Sequence, residues 1–140
     1  MREIKFRAFL RSDQRLPNGI TLGYKKFPRG IYEIIYINLA SEIVTLWSEK
    51  EQTSFEVSFR KVKIMQYTGL KDKDGKEIYE GDIVCFDTLY NEHYIGEVRY
   101  FEDSASFFII AKEHCRECLD DVYALEVLGN IHENKELLDE

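Results

Sequence analysis

The residues with the clearest chemical potential are His114-Cys115-Arg116-Glu117-Cys118. Two cysteines separated by two residues can present both thiolates to one tetrahedral zinc. A structural zinc site needs two further ligands, and the chain has no second Cys-x-x-Cys. His132 or Cys85 would have to reach the pair through the fold. A redox Cys-x-x-Cys sits at a helix start in an α/β setting, and this chain shows no strand–helix alternation. Both thiols read as ordinary loop cysteines, and no metal site is assigned. Asp72-Lys73-Asp74-Gly75 looks like the start of a calcium loop, but such a loop needs Gly at its sixth position and Glu at its twelfth. Glu77 and Ile83 stand there instead, so the segment reads as a turn. Nucleophilic catalysis has no anchor, because there is no Gly-x-Ser-x-Gly elbow and His93, His114 and His132 have no recognisable partner spacing. Pairs such as Asp120-Asp121 do not stand out from the many acids around them. Phosphate-cradling glycine loops are absent. No catalytic residue, no cofactor-binding residue and no binding residue is assigned.

The remaining chemical pattern is electrostatic. Residues 1–30 hold eight Lys/Arg against two Asp/Glu, a balance of +6. Residues 31–76 balance to 0, and residues 77–140 reach −13. In the first third, Arg2, Lys5, Arg7, Arg11, Arg15, Lys25, Lys26 and Arg29 are interleaved with Phe6, Phe9, Tyr24 and Phe27. Cations among aromatics suit phosphate contact and base stacking. The whole chain is acidic, with a net charge of −7, whereas nucleic-acid-binding domains carry a basic footprint. Nucleic acid is therefore a possible partner but not the favoured one. The opposed charges also suggest that the first strand lies on the acidic half, with Lys5 and Arg7 facing carboxylates there; head-to-tail pairing between copies is the other reading.

The elements that would position these residues are strands. Ile4, Phe6, Ala8 and Leu10 alternate, as do Phe55, Val57 and Phe59, and a period of two marks half-buried strands. Further strands are expected over 31–37, 42–47, 62–67, 83–86, 95–101, 106–111 and 123–131. Turn residues fall between them at Pro17-Asn18-Gly19, Pro28-Arg29-Gly30, Asp74-Gly75 and Asp103-Ser104. Residues 111–122 contain helix formers, and a strand-connecting loop is preferred there over a short helix. Lys135-Glu136-Leu137-Leu138 fits one helical turn. With 140 residues, 44% of them hydrophobic and 14% aromatic, a core forms without staples. The expected fold class is all-β: one chain-spanning domain of residues 1–140, with an N-terminal β region at 1–64 and a small antiparallel, SH3-like, partly open barrel at 65–140. Neither a signal peptide nor a membrane span is legible. The odd cysteine number makes a poor disulfide framework, which fits a reducing, cytoplasmic setting.

Three blocks carry a family resemblance. They are the opening Arg2-Glu3-Ile4-Lys5-Phe6-Arg7-Ala8, the run from Met65 to Val84 with Gly69-Leu70-Lys71-Asp72-Lys73-Asp74-Gly75 and Tyr79-Glu80-Gly81-Asp82 inside it, and the tail Leu125-Glu126-Val127-Leu128-Gly129-Asn130-Ile131-His132-Glu133-Asn134 with Leu137-Leu138. Together they resemble the YopX family of phage and prophage proteins. The region 11–60 carries none of the resemblance, and Lys135 stands where a proline is common. The resemblance implies a small, largely β protein encoded by phages or prophages and resident in the bacterial cytoplasm, with no assigned activity and no site to carry over. The functional expectation is a non-catalytic accessory protein that binds a protein partner of phage or host origin. A nucleic-acid-associated protein or an acidic nucleic-acid mimic is the alternative. Because Cys115 and Cys118 lack two further ligands at readable spacing, elemental analysis of the purified protein is expected to find less than about 0.2 zinc per chain. Stoichiometric zinc that disappears in Cys118→Ser would overturn that reading.

Overall fold

The computed structural model describes residues 3–17, 23–111 and 116–139. Strand outweighs helix severalfold, and every helix among the described residues is a short 3₁₀ segment. The chain is all-β, as the period-two patterns predict. It folds as two compact units, Phe6–Met65 and Met1–Lys5 with Gln66–Glu140.

The Phe6–Met65 unit contains β1 (Phe6–Leu10), β2 (Gln14–Pro17), β3 (Tyr24–Phe27), β4 (Gly30–Asn38), β5 (Ile43–Ser48) and β6 (Thr53–Ser58). Four of these form an antiparallel sheet in the order β6-β5-β4-β1. β2 and β3 form a separate two-stranded ribbon. Alternation on β5 and β6 turns Val44, Leu46, Phe55 and Val57 inward, where they join Ala8, Leu10, Phe27 and Val62. Phe27 stacks on Phe55 with centroids 3.9 Å apart, and such ring contact adds to the burial itself. A register shift between Ile34 and Tyr36 leaves Ile35 and Tyr36 exposed. The expected alternation of the first strand holds only in part. Ile4 is exposed and lies before β1, while Ala8, Phe9 and Leu10 are all buried in succession. The end of β1 is covered on both faces, a pattern that periodicity cannot separate from alternation in five residues.

The second unit contains the end of β7 (Val62–Lys71), then β8 (Glu77–Tyr79), β9 (Asp82–Asp87), β10 (His93–Phe101), β11 (Ser106–Ala111), β12 (Glu117–Cys118) and β13 (Tyr123–Asn130). β7 pairs with β8, and the other five form an antiparallel sheet in the order β12-β11-β10-β9-β13. The sheet is not closed, which corrects the barrel expectation: β12 and β13 are its edges. Closure needs long, tilted strands with a consistent stagger, whereas β12 has two residues and β13 shifts register twice. Ile78, Val84, Phe86, Val98, Ile109 and Leu119 fill this unit's core. Residues 112–115 of the ambiguous stretch lie outside the described residues; the part that follows holds β12 and a 3₁₀ segment at Leu119–Asp121, and the C-terminal turn is 3₁₀ at Lys135–Asp139. Segments this short do not reach the length at which an α-helix sustains itself.

The glycine-punctuated run explains how the edge is protected. Asp72 is 8% exposed. Its Oδ1 accepts the amides of Asp74 and Lys76, each at 2.9 Å, and shapes the turn. Its Oδ2 accepts the amide of Val127 on β13 at 3.0 Å. Next to it, the Lys73 amide donates to the Leu125 carbonyl at 2.8 Å. The turn therefore takes up alternate polar groups on the outer edge of β13, where open edges invite unwanted pairing. Gly75, at φ +82°, completes the turn. Further on, Gly81 at φ +88° gives its amide to Val98 and receives that of Ile131, while fully buried Asp82 accepts the Tyr79 amide at 2.9 Å. In the tail, Asn130 Oδ1 accepts the amides of His132 and Glu133. A Cβ on Gly129 would run into the Asn134 carboxamide. Near the chain start, the Lys5 carbonyl accepts the Tyr67 amide, and Lys5 Nζ meets Glu77 at 2.6 Å. Lys5 thus faces an acidic-half carboxylate as the charge gradient suggests.

Burial pushes the Asp72 carboxyl up, but the amides of Val127, Lys76 and Asp74 more than reverse this and hold it below the ordinary aspartate value. A carboxyl lowered in the folded state stabilises above the unfolded value, about pH 4, and loses that contribution as pH falls through the folded value. Asp72→Asn is expected to destabilise the protein by roughly 1–3 kcal/mol at pH 7. Chemical denaturation as a function of pH checks this: the gap between wild type and variant should narrow below about pH 4. A gap that stays constant would assign the bonds no charge-dependent role.

Candidate functional site

The turn joining β9 to β10 is built around Thr88. Its amide donates to the Glu92 carbonyl at 2.9 Å, its carbonyl accepts the Asn91 amide, and its Oγ1 accepts the amides of Tyr90 and Glu92. Asn91 takes φ +60°, which asparagine tolerates better than most residues. With the backbone bonded internally, the turn projects Leu89 and Tyr90 outward, 73% and 83% exposed. Large apolar side chains held in solvent by a buried turn residue are the unusual observation here.

These side chains border a cleft of about 600 Å³ lined by Thr88, Leu89, Tyr90, Glu92, Glu117, Asp120, Asp121, Val122 and Tyr123. Buried Leu119 anchors the 3₁₀ segment that presents Asp120 and Asp121. Tyr123, 55% exposed, opens β13. The Tyr94 hydroxyl donates to Glu92 Oε2 at 2.8 Å, and that bond, with burial, raises the phenol. Among the described residues the lining holds four carboxylates and no Lys or Arg. His93 stands on the same hairpin with Nδ1 2.8 Å from Asp87 Oδ1.

The residues singled out in the sequence take separate places. Cys115 and His114 lie outside the described residues. The Cys118 thiol donates to Asp120 Oδ1 at 2.8 Å. That bond raises the thiol, and burial adds to the effect. Cys85 on β9 is raised by burial and then by Glu126. Raised thiols are poor nucleophiles at neutral pH. Donor atoms of Cys118, Asp120 and Asp121 lie within 4.8 Å of one another. Among the described residues, neither Cys85 nor any histidine joins a group of three such donors. Asp72 is engaged by three amides. In the basic N-terminal third, Phe9 and Phe27 are buried, so of the aromatics named there Tyr24, at 71% exposed, is the one that stands well out in solvent. Nothing in the sequence marks residues 88–92, and Cys118 and Asp120-Asp121 read there as a loop cysteine and as two acids among many. The weak signal available was Leu89-Tyr90 inside a turn-rich stretch, where apolar residues have no strand to serve.

The YopX protein family profile matches residues 5–139, and the chain belongs to that family. The crystal structure of protein EF1440 from Enterococcus faecalis is similar over 99% of this chain and 99% of its own, at 26% identity and a TM-score of 0.58. No curated protein matches. Neither similarity names an activity. The Cys118 contact gives a local test. Asp120→Asn should lower the thiol's pKa and speed its alkylation by iodoacetamide at pH 8 about two- to fivefold, read by site-resolved mass spectrometry. An unchanged rate would show that the carboxylate does not hold the proton.

Proposed function

We propose that this YopX-family chain is a non-catalytic binding module, encoded by a phage or prophage and acting in the bacterial cytoplasm, that receives a basic segment of a partner protein in the acidic cleft. The carrying observation is the lining itself: Glu92, Glu117, Asp120 and Asp121 beside Leu89, Tyr90 and Tyr123, without a cation among them. Lys and Arg match both components. Their stems cover apolar surface, their charges lie favourably over aromatic faces, and their head groups meet carboxylates. Arg and Tyr are also enriched among residues that dominate binding energy. A phosphate ligand would meet only repulsion there. Residues 1–5 with 66–140 carry a balance of −11, which favours fast, salt-sensitive encounter with a basic partner. A host protein whose own site accepts a phosphate backbone would satisfy the same demand, the acidic-mimic form of this reading. The non-catalytic part is supported by the raised thiols and by the use of Asp72 and Asp82 as amide acceptors.

The test is affinity capture from infected or lysogenic host cells with wild type, Tyr90→Ala and the triple variant Glu92→Gln/Asp120→Asn/Asp121→Asn, followed by direct binding of the captured protein. The expected result is a partner whose crosslinked segment is rich in Lys and Arg and whose affinity falls at least about tenfold in each variant. A partner that binds all three alike would move the interface elsewhere. Turnover of a captured small molecule would defeat the non-catalytic reading.

A further inference from the structure

The β2–β3 ribbon of the other unit has a different chemistry. Its register places Arg15 directly opposite Lys26 and Pro17 opposite Tyr24, so these four share one face. All four are exposed. The other face carries Gln14, Leu16, Lys25 and Phe27. Phe27 belongs to the core and Leu16 packs against it. Core packing therefore fixes which face looks out, and that face holds two cations and one exposed aromatic ring. Like charges directly opposite on paired strands oppose pairing. On the ribbon's other face Lys61 Nζ donates to Gln14 Oε1 at 3.0 Å. Beside the outward face Asp13 lies 3.7 Å from Lys26 and accepts the Arg29 amide at 2.8 Å. The Phe6–Met65 unit as a whole has ten Lys/Arg and six Asp/Glu, a balance of +4 in a chain of −7.

We infer that the outward face of the β2–β3 ribbon is a nucleic-acid site that holds the phosphodiester backbone without reading sequence. The Cα atoms of opposed residues stand about 5 Å apart, so Arg15 and Lys26 carry two like charges side by side and call for an anionic ligand. A duplex offers one negative charge per about 1.7 Å of its axis. A two-stranded β-ribbon also has the cross-section that enters the major groove. Arg15 and Lys26 meet phosphates, and Tyr24 offers a ring on which an unpaired base can stack. This site is independent of the acidic cleft. The binding module then has two surfaces of opposite chemistry, one for a basic protein segment and one for nucleic acid.

The experiment uses the full chain with a fluorescently labelled duplex of about 24 base pairs, the corresponding single strand, and polyglutamate as competitor. Anisotropy is read over a salt series. Binding at low salt should weaken steeply as salt rises. Arg15→Gln/Lys26→Gln should lower affinity at least about tenfold and reduce the slope of log K against log salt by about 2. Tyr24→Ala should weaken the single-strand arm alone. Circular dichroism verifies each variant's fold; should the first variant not fold, Arg15→Gln and Lys26→Gln are tested singly, each expected to reduce the slope by about 1. Failure of both nucleic acids to bind at low salt would overturn the inference, as would an unchanged affinity and slope in the variants. Equal competition by polyglutamate would instead assign the ribbon to an acidic protein surface. Low-salt self-association that Arg15→Gln/Lys26→Gln abolishes would assign it to a second copy of this chain.

Discussion

The Asp72 carboxylate closes the connection on which the second unit depends. One oxygen shapes its own turn through Asp74 and Lys76, and the other reaches Val127. The two partners are 55 residues apart in sequence, so the bond forms only after β7 to β13 have assembled. It then does what a neighbouring strand would do, satisfying the outer edge of β13 where the sheet stops. A carboxylate accepts charge-assisted bonds from backbone amides, and two oxygens allow it to serve a turn and an edge at once. An amide side chain has one acceptor oxygen and cannot replace both.

The same logic accounts for the blocks that identify the family. Gly81 fills a left-handed position between Val98 and Ile131, Asp82 holds the Tyr79 amide, Asn130 holds the chain beyond β13, and Lys5 holds Glu77. These residues look like a motif for chemistry because they are polar, charged and closely spaced. In the fold most of their polar atoms are occupied by backbone groups. In this chain those blocks therefore serve the architecture. The acidic cleft and the cationic face lie elsewhere, on the β9–β10 turn with Asp120 and Asp121, and on the β2–β3 ribbon.

Charge then divides the labour between those surfaces. The net value of −7 averages a unit at +4 with one at −11. A single pI reports neither. The acidic cleft and the basic ribbon thus present surfaces of opposite charge, and salt screens both.

The sequence by itself determined the all-β class, most strand positions and the turn at Asp74-Gly75. These depend on local physics: alternating side-chain direction, ring and branch preferences, and glycine's access to positive φ. The charge segregation suggested carboxylates for both Lys5 and Arg7; Lys5 meets Glu77, whereas Arg7 stands on β1, which pairs with β4. The β2–β3 ribbon and β8 were not legible, since four-residue and three-residue strands give too few alternations to count. The sheet stays open between β12 and β13, because β12 has only two residues and β13 shifts register twice. The candidate site was decided entirely by tertiary structure. Thr88 has to be buried before Leu89 and Tyr90 are forced outward, and Leu119 has to enter the core before Asp120 and Asp121 reach the cleft. Those are long-range packing events, and a linear pattern of residue types does not record which side chain the core claims first.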